Sequence, residues 1–535
     1  MTKTLEQRRS LPSALYSAAA VKELDRIAIE EAGVAGITLM RRAALACADI
    51  AQQRWPTADV VRVFCGSGNN AGDGYLLAGL LAQRGLKVEA IVVGDAEKLG
   101  SDAAMAYQFC EQSDARIQSL SESAFASGAS LIVDALLGIG LSGPVRAEFA
   151  EVISRINRLS ATEGLPVLAV DIPSGLSADS GQVLGVAIRA TATVTFIGTK
   201  RGLLTGDGAD MAGELYFDDL EVPQDVYERV PANVTRLSNE SLAGLLPRRL
   251  RNSHKNTFGH ILVVGGDQGM GGAVAMSAEA ALRTGAGLVS VATHPSHSAS
   301  LLLRMPELMV RGIETEGDQV DAASGMESLA TLVEQSSVVV LGPGLGKSVW
   351  SRKIFKTVMD ITRRNGKAMV VDADGLNLLS GAFEKRENWV LTPHPGEAAT
   401  LLAGLETQSD DKTTLDSPSQ VELAASGRFA MCDLLQSHLG GALILKGVGS
   451  LIGNDDEIWL CPFGNPGMST AGMGDVLSGV VGALLGQGLS IADAARLAVM
   501  MHALAGDRAV AVAGERGLVA TDLIPELRRL ANEYT

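Results

Sequence analysis

The turn from Gly467 to Asp475 carries residue types suited to phosphoryl transfer. It reads Gly-Met-Ser-Thr-Ala-Gly-Met-Gly-Asp and precedes an apolar helix expected from Val476. Closely spaced glycines let several backbone N–H groups converge at a helix N-terminus, which binds anions. A carboxylate is unfavourable beside phosphate unless it handles a proton, and Asp475 can take the proton of an attacking hydroxyl. Asp475 could also simply cap the helix, but the nine-residue context and the Lys446–Ser450 segment favour the catalytic interpretation.

Three other C-terminal segments follow predicted strands. Lys446-Gly-Val-Gly-Ser450 can bring backbone and an ammonium to a nucleotide, although a turn with a solvated lysine explains it equally well. In Thr392-Pro-His-Pro-Gly-Glu397, two prolines fix the backbone around His394, and Glu397 can hold Mg²⁺ through water. An exposed histidine in a proline-rich turn is the alternative. Gly342–Gly346 can close over a substrate, and core packing explains it equally well.

The N-terminal half contains three glycine loops that each lie beside Asp or Asn. They are Asn69-Asn-Ala-Gly-Asp73, Gly138–Pro144 after Asp134, and Asp171–Gly175. Side-chain carbonyls and carboxylates at strand ends can bind a cation or ribose hydroxyls. Asx turns and helix caps are the structural alternative, but they are a poor explanation for all three loops together.

Alternating β-rich and helical segments must position these residues. Such alternation predicts a parallel, doubly wound α/β sheet in each half, with ligands beyond the carboxyl ends of the strands. Proline and polar residues from Glu221 to Pro247 indicate a linker. The predicted strands are Val60–Phe64, Lys87–Val93, Leu131–Asp134, Val167–Asp171, His260–Val264, Leu288–Ala292, Val338–Leu341, Ala368–Asp372, Trp389–Thr392 and Ala442–Lys446.

Composition narrows the classes of function. A chain of 535 residues predicts about two to four domains. The net charge of −16, without a basic stripe, argues against nucleic-acid binding. Five widely spaced cysteines without a C-x-x-C pair argue against a disulfide framework or zinc site and predict a reducing compartment. The charge-free stretch near the C-terminus is too short to span a membrane.

Five motifs together resemble one family. They are the segments at 66–74, 171–175, 265–267, 392–397 and 472–475. With these motifs the chain resembles, over nearly its whole length, the bifunctional NAD(P)H-hydrate repair enzymes, in which an epimerase is fused to a nucleotide-dependent dehydratase. The resemblance implies a Rossmann-like three-layer epimerase domain at 1–225, a linker at 226–247 and a ribokinase-like α/β dehydratase domain at 248–535.

The resemblance also implies the reactions. The first domain, an isomerase, would interconvert the R and S hydrates of NADH and NADPH. The second, a lyase, would use ADP or ATP with Mg²⁺ to phosphorylate the ring hydroxyl of the S form, and loss of phosphate would restore the reduced cofactor. Bacterial members of this family favour ADP over ATP, and the fused arrangement of this chain resembles theirs, so ADP is expected. A cytoplasmic homo-oligomer that binds small molecules, and neither nucleic acid nor membrane, is expected.

The resemblance assigns roles by position. Asp475 resembles the catalytic base of the dehydratase, and Asp171 the proton-handling group and a hydrate contact of the epimerase. The remaining epimerase contacts are Asn69, Asn70, Ala71, Gly72, Asp73, Gly138, Ile139, Gly140, Leu141, Ser142, Gly143 and Pro144. A potassium site is expected at Asn70, Asp134 and Ser174. Dehydratase hydrate contacts are Ala273, Gly344, His394 and Asp475; nucleotide contacts are Lys446, Gly447, Val448, Gly449, Ser450 and Gly474; and Glu397 is the candidate for Mg²⁺ through water.

One position departs from the family pattern. The early helix reads Leu39-Met-Arg-Arg-Ala43, where an acidic or amide residue is expected at Arg41. Two alternatives remain open from sequence. The chain could be a small-alcohol or vitamin-precursor kinase with a regulatory N-terminal domain, or the N-terminal domain could be a binding module without catalysis, although Asp171 and the complete Asn69–Asp73 loop argue against the second.

Overall fold

The chain forms two compact units in the computed structural model, Met1–Arg236 and Leu237–Thr535. The structure describes residues 4–315, 319–408, 420–455 and 457–534. The division falls inside the segment predicted as a linker, 226–247, which carries short helical and strand elements. Within the described ranges, no helix combines the length and apolarity needed to cross a bilayer.

The N-terminal unit is built on a parallel sheet of seven strands in the order β4-β3-β2-β5-β6-β7-β9. A second, small pairing joins β1 to β8 and β10. The strands are β1 (Ala14–Tyr16), β2 (Val60–Cys65), β3 (Lys87–Val92), β4 (Arg116–Ser119), β5 (Leu131–Ala135), β6 (Val167–Val170), β7 (Ala192–Phe196), β8 (Thr199–Lys200), β9 (Glu214–Asp218) and β10 (Val234–Arg236).

Successive side chains of these strands point to opposite faces of the sheet, and each face packs into its own apolar layer. Val61 and Val63 face one core cluster, which includes residues of α2 to α5, whereas Phe64 faces the other, with α6. The predicted three-layer, doubly wound fold is therefore confirmed. The helices are α1 (Leu5–Arg9), α2 (Ala18–Glu30), α3 (Gly36–Arg54), α4 (Asn69–Gln83), α5 (Ser101–Glu111), α6 (Ala147–Glu163), α7 (Gly208–Met211) and α8 (Gln224–Arg229).

The C-terminal unit has a larger sheet. Its strands follow the order β13-β12-β11-β14-β15-β16-β17-β18-β19, parallel up to β17 and antiparallel from β17 to β19. They are β11 (His260–Val264), β12 (Leu288–Thr293), β13 (Met309–Gly312), β14 (Val338–Leu341), β15 (Ala368–Val371), β16 (Trp389–Leu391), β17 (Ala442–Leu445), β18 (Ser450–Asn454) and β19 (Glu457–Cys461).

Helices of this unit bury the apolar face of the sheet. Ile261, Val340 and Ile444 share a core with α10, α17, α18 and α19. The helices are α9 (Asn239–Leu242), α10 (Gly271–Thr284), α11 (Ser298–Arg304), α12 (Gln319–Gln335), α13 (Val349–Asn365), α14 (Asp374–Leu379), α15 (Pro395–Gln408), α16 (Gln420–Leu439), α17 (Met473–Gly486), α18 (Ile491–Ala513) and α19 (Leu523–Glu533).

The glycine turns are shorter than their sequences suggest. Residues Asn69–Asp73 form the first turn of α4 instead of a loop, and α17 begins at Met473 instead of Val476. Asp475 is therefore not the N-cap residue. That position belongs to Gly472, whose φ of 91° suits glycine. The Asn69–Asp73 motif and the end of the Gly467–Asp475 motif therefore lie in the first turn of a helix.

Contact between α10 and α17 depends on glycine. A Cβ at Gly479 would lie 2.0 Å from the Ser277 carbonyl oxygen. We therefore expect Gly479→Ala to lower the free energy of unfolding of the C-terminal unit by about 1–3 kcal/mol, because backbone must separate to admit the methyl group. Urea unfolding followed by circular dichroism measures this change.

Gly272→Ala is the matched control on α10. A Cβ there meets nothing within 4 Å, so its stability should stay within about 1 kcal/mol of the parent or rise. Equal stability of the two variants would contradict close packing at Gly479.

Candidate active sites

The N-terminal unit contains a cavity of about 530 Å³ at the carboxyl edge of its sheet. Loops after β2, β5 and β6 contribute Asn69, Gly138 and Asp171 to its wall. Parallel strands bring their carboxyl ends to one edge, so loops distant in sequence converge there. We call this the N-terminal cavity.

Asp171 and Lys200 form an ion pair in the N-terminal cavity. Lys200 is 1% exposed, and its Nζ also donates to Thr195 Oγ1 at 3.1 Å and to the Phe196 carbonyl at 3.0 Å. The Phe196 N–H donates to Asp171 Oδ1 at 3.1 Å. Asp171 has φ of 67°, a conformation rare for non-glycine residues and found where surroundings over-determine the backbone. These contacts hold the Asp171 carboxylate in one orientation.

Three further carboxyl groups line the cavity, those of Asp25, Asp73 and, on α5, Asp102. Asp25 projects from α2 and Asp73 from α4. Burial, followed by the charge of Asp171, raises the pKa of Asp25. The same two causes, together with Asp25, raise the pKa of Asp73 well above its usual range. The cavity thus combines one ion-paired carboxylate, Asp171, with two carboxyl groups whose pKa values are raised, Asp25 and Asp73.

Asp134, Ser174 and Asn70 form a buried polar cluster. Asp134 is fully buried and accepts from Ser174 N at 2.8 Å and Ser174 Oγ at 2.6 Å. Asn70 Nδ2 donates to the Leu137 carbonyl at 3.1 Å, whereas Asn70 Oδ1 is buried without a partner among the described residues. Burial raises the pKa of Asp134 to about 6, and the bonds from Ser174 and Leu136 oppose the rise. The unpaired oxygen makes this cluster suited to a cation that prefers oxygen ligands.

The structure brings most predicted N-terminal residues together. Those lining the cavity are Asn69, Asn70, Asp73, Gly138, Ile139, Gly140, Leu141 and Asp171. Ala71 and Gly72 are buried in α4 instead, where a Cβ at Gly72 would meet Met40 and Ala103. Ser142, Gly143 and Pro144 continue the same loop without lining the cavity, and Ser142 and Pro144 are exposed.

The helix with the unusual arginine also reaches the cavity. Leu39, Met40 and Ala43 line it, so α3 presents an apolar face there. Arg41 is exposed, and Arg42 donates to the Leu220 carbonyl at 2.7 Å. The departure at Arg41 therefore leaves the cavity wall itself unchanged.

The C-terminal unit assembles charges at the N-terminus of α17. Lys446 Nζ lies 3.0 Å from Asp372 Oδ1 and 3.8 Å from Glu397 Oε2. A Cβ at Gly474 would lie 3.1 Å from Lys446 Nζ and 3.6 Å from Asp372 Oδ2. Burial lowers the pKa of the Lys446 ammonium, but the two carboxylates outweigh it, so that pKa lies above its usual value. The predicted nucleotide residues Lys446 and Gly474 are thus neighbours.

Asp475 lies in the first turn of α17 within the field of these charges. Burial, then the charge of Asp372, raises the pKa of Asp475 to about 7, while Lys446 opposes the shift. Asp374 and Glu397 raise it further. A carboxyl group with such a pKa can exchange a proton near neutral pH, as a general base requires.

The Lys446–Ser450 turn is held from behind by Arg428 of α16. The guanidinium donates to the carbonyls of Leu445, Lys446 and Gly449, each at 3.1 Å, and to that of Val448. Gly447 and Gly449 have φ of 135° and 63°, which permits the tight turn. With its carbonyls directed towards Arg428, the turn can present N–H groups to an anion.

His394 and Glu397 cap α15 reciprocally. The His394 N–H donates to Glu397 Oε2 at 2.8 Å, and the Gly396 N–H donates to His394 Nδ1 at 3.0 Å. The His394 side chain remains 56% exposed, so it can still face a ligand. Glu397 therefore has a structural task besides any role with Mg²⁺.

Ala273 and Gly344 lie side by side. A Cβ at Gly344, whose φ is 55°, would come within 3.0 Å of the Ala273 Cβ. The Asp267 N–H donates to the Gly344 carbonyl at 2.8 Å, which ties the motif at 265–267 to this loop. Gly342 in turn packs against the Asp372 carbonyl. Two of the predicted hydrate contacts thus share one wall of the site.

Several site residues were not predicted from sequence. No distinctive local pattern marks Lys200, Asp25, Asp374 or Arg428. Asp372 had a signal, because it is the last residue of the predicted strand Ala368–Asp372, at the ligand-binding edge. The described residues contain no group of three or more His, Cys, Asp or Glu side chains able to hold a metal ion.

Comparison with known proteins agrees with both units. The family model described as YjeF-related protein N-terminus matches residues 36–202, and that described as NAD(P)H-hydrate dehydratase matches residues 261–529. A ribokinase-like superfamily protein from Enterococcus faecalis V583 is 28% identical, with 57% of this chain and 97% of that chain covered and a TM-score of 0.48.

Two curated relatives span nearly the whole chain. The bifunctional NAD(P)H-hydrate repair enzyme Nnr of Coxiella burnetii is 44% identical over 97% of this chain and 99% of its own length. The enzyme of the same name from Escherichia coli K12 is 38% identical over 98% of this chain and 95% of its own. The chain therefore belongs to the family of bifunctional NAD(P)H-hydrate repair enzymes.

Proposed function

We propose that this chain repairs hydrated NADH and NADPH with two active sites. In this proposal an epimerase domain at residues 1–225, within the N-terminal unit, interconverts the R and S hydrates. A dehydratase domain at residues 248–535, within the C-terminal unit, dehydrates the S form. Membership of the family and the separate set of proton-handling groups in each unit support this proposal. The observation that carries the dehydratase assignment is Asp475 on a helix N-terminus beside Lys446.

In the C-terminal unit, Asp475 accepts the proton of the ring hydroxyl as that oxygen attacks phosphorus. The phosphorylated hydrate then loses phosphate, a better leaving group than hydroxide, and the adjacent ring carbon loses a proton to solvent, so that the ring double bond returns. ADP or ATP supplies the phosphoryl group. Ala273, Gly344 and His394 contact the hydrate in this proposal, and the N–H groups of Met473, Gly474 and Asp475, which lack intrahelical acceptors, face the transferred phosphate.

Lys446 to Ser450 hold the nucleotide in this proposal, because their turn combines an ammonium with carbonyls that are bound from behind by Arg428. Asp372 Oδ2 is buried and has no hydrogen-bond partner among the described residues, so a carboxylate oxygen remains for hydrated Mg²⁺ beside Glu397. Sequence and fold leave ADP and ATP as equivalent candidates, and ADP is our preference.

In the N-terminal unit, Asp171 handles the proton in epimerisation. The hydrated ring contacts the predicted residues that line the cavity, which are Asn69, Asn70, Asp73 and Gly138 to Leu141. Potassium binds at Asn70, Asp134 and Ser174 in this proposal, where the unpaired Asn70 Oδ1 supports a cation.

The compartment and assembly also remain predictions. All five cysteines are free and buried, which supports the cytoplasm as the proposed location. A homo-oligomer is expected, and light scattering of the purified chain decides it.

We expect Asp475→Asn to reduce nucleotide-dependent dehydration by about 10²–10⁴-fold, because the amide cannot accept the hydroxyl proton. The measurement follows recovery of the near-ultraviolet absorbance of the reduced ring from (S)-NADH hydrate with ADP or ATP and Mg²⁺. R-to-S conversion should be unchanged in this variant. Undiminished recovery would exclude Asp475 as the base, and a stable phosphoester as the final product would indicate a kinase instead.

The pH dependence of dehydration should reflect Asp475. Because its pKa is raised to about 7, the carboxyl group is protonated below that pH and cannot act as a base. We expect kcat/KM to rise with pH through about 7, since this quantity reports groups of the free enzyme. Asp374→Asn removes a charge that raises this pKa and should move the midpoint to lower pH. A flat profile from pH 5.5 to 8.5 would contradict the assignment.

Asp171→Ala should lower the rate of enzymatic R-to-S conversion by at least about 10²-fold, because the ion-paired carboxylate is lost. Chiral chromatography of the hydrates measures this rate. Dehydration of pure S hydrate should continue at the parent rate. Unchanged epimerisation would remove Asp171 from the mechanism.

A further inference from the structure

Asp25 is a carboxyl group of the N-terminal cavity without an assigned role. It lies on α2 between the buried Leu24 and the exposed Arg26, and its residue lines the same cavity as Asp171. Its carboxyl group makes no hydrogen bond or ion pair to another described residue, although Arg26 next to it binds three glutamates, Glu23, Glu30 and Glu31. An unpaired carboxyl group in a partly buried wall is costly unless it is neutral or meets a ligand.

Asp171 is in the opposite electrostatic situation. It is paired with the buried Lys200 ammonium and accepts the Phe196 N–H. Burial, then the negative charge of Asp171, raises the pKa of Asp25; Lys200 opposes the rise and Asp102 adds to it. One site that holds an ion-paired carboxylate and an unpaired carboxyl group has the two different environments from which acid and base roles are built.

The chemistry of the hydrate requires both states. Water added to an enamine-type double bond leaves its hydroxyl on the carbon bonded to the ring nitrogen. Inversion at that carbon can proceed by breaking the C–O bond and adding water to the other face. The departing oxygen needs a proton, and the incoming water must lose one on the opposite side of the ring, which one rigidly held carboxylate cannot do at both faces.

We infer that Asp25 is the general acid of the epimerase site and works with Asp171 as the general base; this inference rests on the proposed epimerisation. As the C–O electron pair leaves with oxygen, Asp25 gives that oxygen its proton and water departs, while the nitrogen lone pair forms a C=N⁺ bond. Water then adds to the other face, the C=N⁺ electrons return to nitrogen, and Asp171 takes the released proton. Exchange with solvent resets both groups, and their roles reverse in the other direction.

Asp73 and Asp102 also line the cavity wall and make no hydrogen bond or ion pair to another described residue. Asp102, on α5, acts on Asp25 through its negative charge. Burial, then the charges of Asp171 and Asp25, raises the pKa of Asp73 well above its usual range. An acid must release its proton at the working pH to contribute, so Asp73 suits a permanent hydrogen-bond donor. Asp25, on a separate helix from Asp73, is the better match to the acid.

The test compares Asp25→Asn with the intact full-length chain on (R)-NADH hydrate. Asparagine keeps the shape and cannot donate an acidic proton. We expect kcat for R-to-S conversion to fall by about 10²–10⁴-fold, with KM changed less than about threefold, and Asp25→Glu to restore part of kcat. Partial rescue by Asp25→Glu and an unchanged circular dichroism spectrum verify that the N-terminal unit is folded, and dehydration of S hydrate by the same preparation verifies the C-terminal unit. The matched control is Glu30→Gln, an exposed carboxylate of the same helix, expected to match the parent.

The outcomes separate this inference from the function on which it rests. If the parent chain does not epimerise, the proposed function fails. If the parent is active and Asp25→Asn retains its kcat, or loses only KM, the inference is overturned. Loss of kcat in Asp73→Asn but not in Asp25→Asn would also overturn it.

Oxygen labelling tests the bond that breaks. In H₂¹⁸O, a single enzymatic turnover should place ¹⁸O in the hydroxyl of the inverted product, after subtraction of exchange without enzyme. Asp25→Asn should lose labelling and inversion together. Inverted product that retains ¹⁶O would show that the C–N bond opens instead and would overturn the inference.

Discussion

A lysine ammonium loses several kcal/mol when it leaves water, unless carboxylate and carbonyl oxygens replace its hydration. Each unit contains one such group at the carboxyl edge of its sheet. Lys200 is 1% exposed and is surrounded by Asp171, Thr195 and Phe196. Lys446 lies against Asp372 and near Glu397. Because the cation cannot remain buried alone, it fixes the position and charge of the carboxylates around it, and the proton chemistry of each site depends on that pairing.

Close backbone approach is the second requirement at these edges. A Cβ at Gly66 would lie 2.0 Å from the Leu136 carbonyl oxygen, and one at Gly265 would lie 2.0 Å from the Pro343 carbonyl oxygen. Both glycines directly follow a strand and precede a helix N-terminus. Two unrelated domains therefore use the same device, because a loop from the neighbouring strand must pass close by to reach the ligand edge.

Sequence patterns predicted the buried central strands, whose positions depend mainly on their own apolar residues and on the turns that end them. The bounds of His260–Val264 and Val338–Leu341 agree with the structure, because buried parallel strands read as short apolar runs ended by glycine. Short edge elements such as Thr199–Lys200 carry no such run, so sequence did not predict them. The first turns of α4 and α17 were not predicted as helix, because glycine and asparagine are poor helix formers in isolation. In the structure these residues occupy the first turns, at the carboxyl edge of each sheet.

The charged contacts needed the fold. Arg428 reaches the Lys446–Ser450 turn only because α16 packs beside β17 and β18. Asp25 lies in a helix close to the charged residues Glu23 and Arg26, so from sequence it resembles part of a solvated face, whereas the structure places it on the cavity wall. Such pairings join residues far apart in the chain, and propensity or periodicity holds no information about them.

The two sites also differ in what their chemistry can accomplish. A pair of carboxyl groups that breaks and remakes one C–O bond returns every proton and water molecule it uses, so it can only bring the two hydrates to equilibrium. Removing water irreversibly in aqueous solution requires coupling to a favourable reaction, and phosphoryl transfer supplies one. Asp475 with a pKa near 7 beside Lys446 suits that task, because it can accept a proton while an adjacent cation balances phosphate charge. Epimerisation then supplies the S form as the second site consumes it, so neither unit alone could clear a mixture of both hydrates.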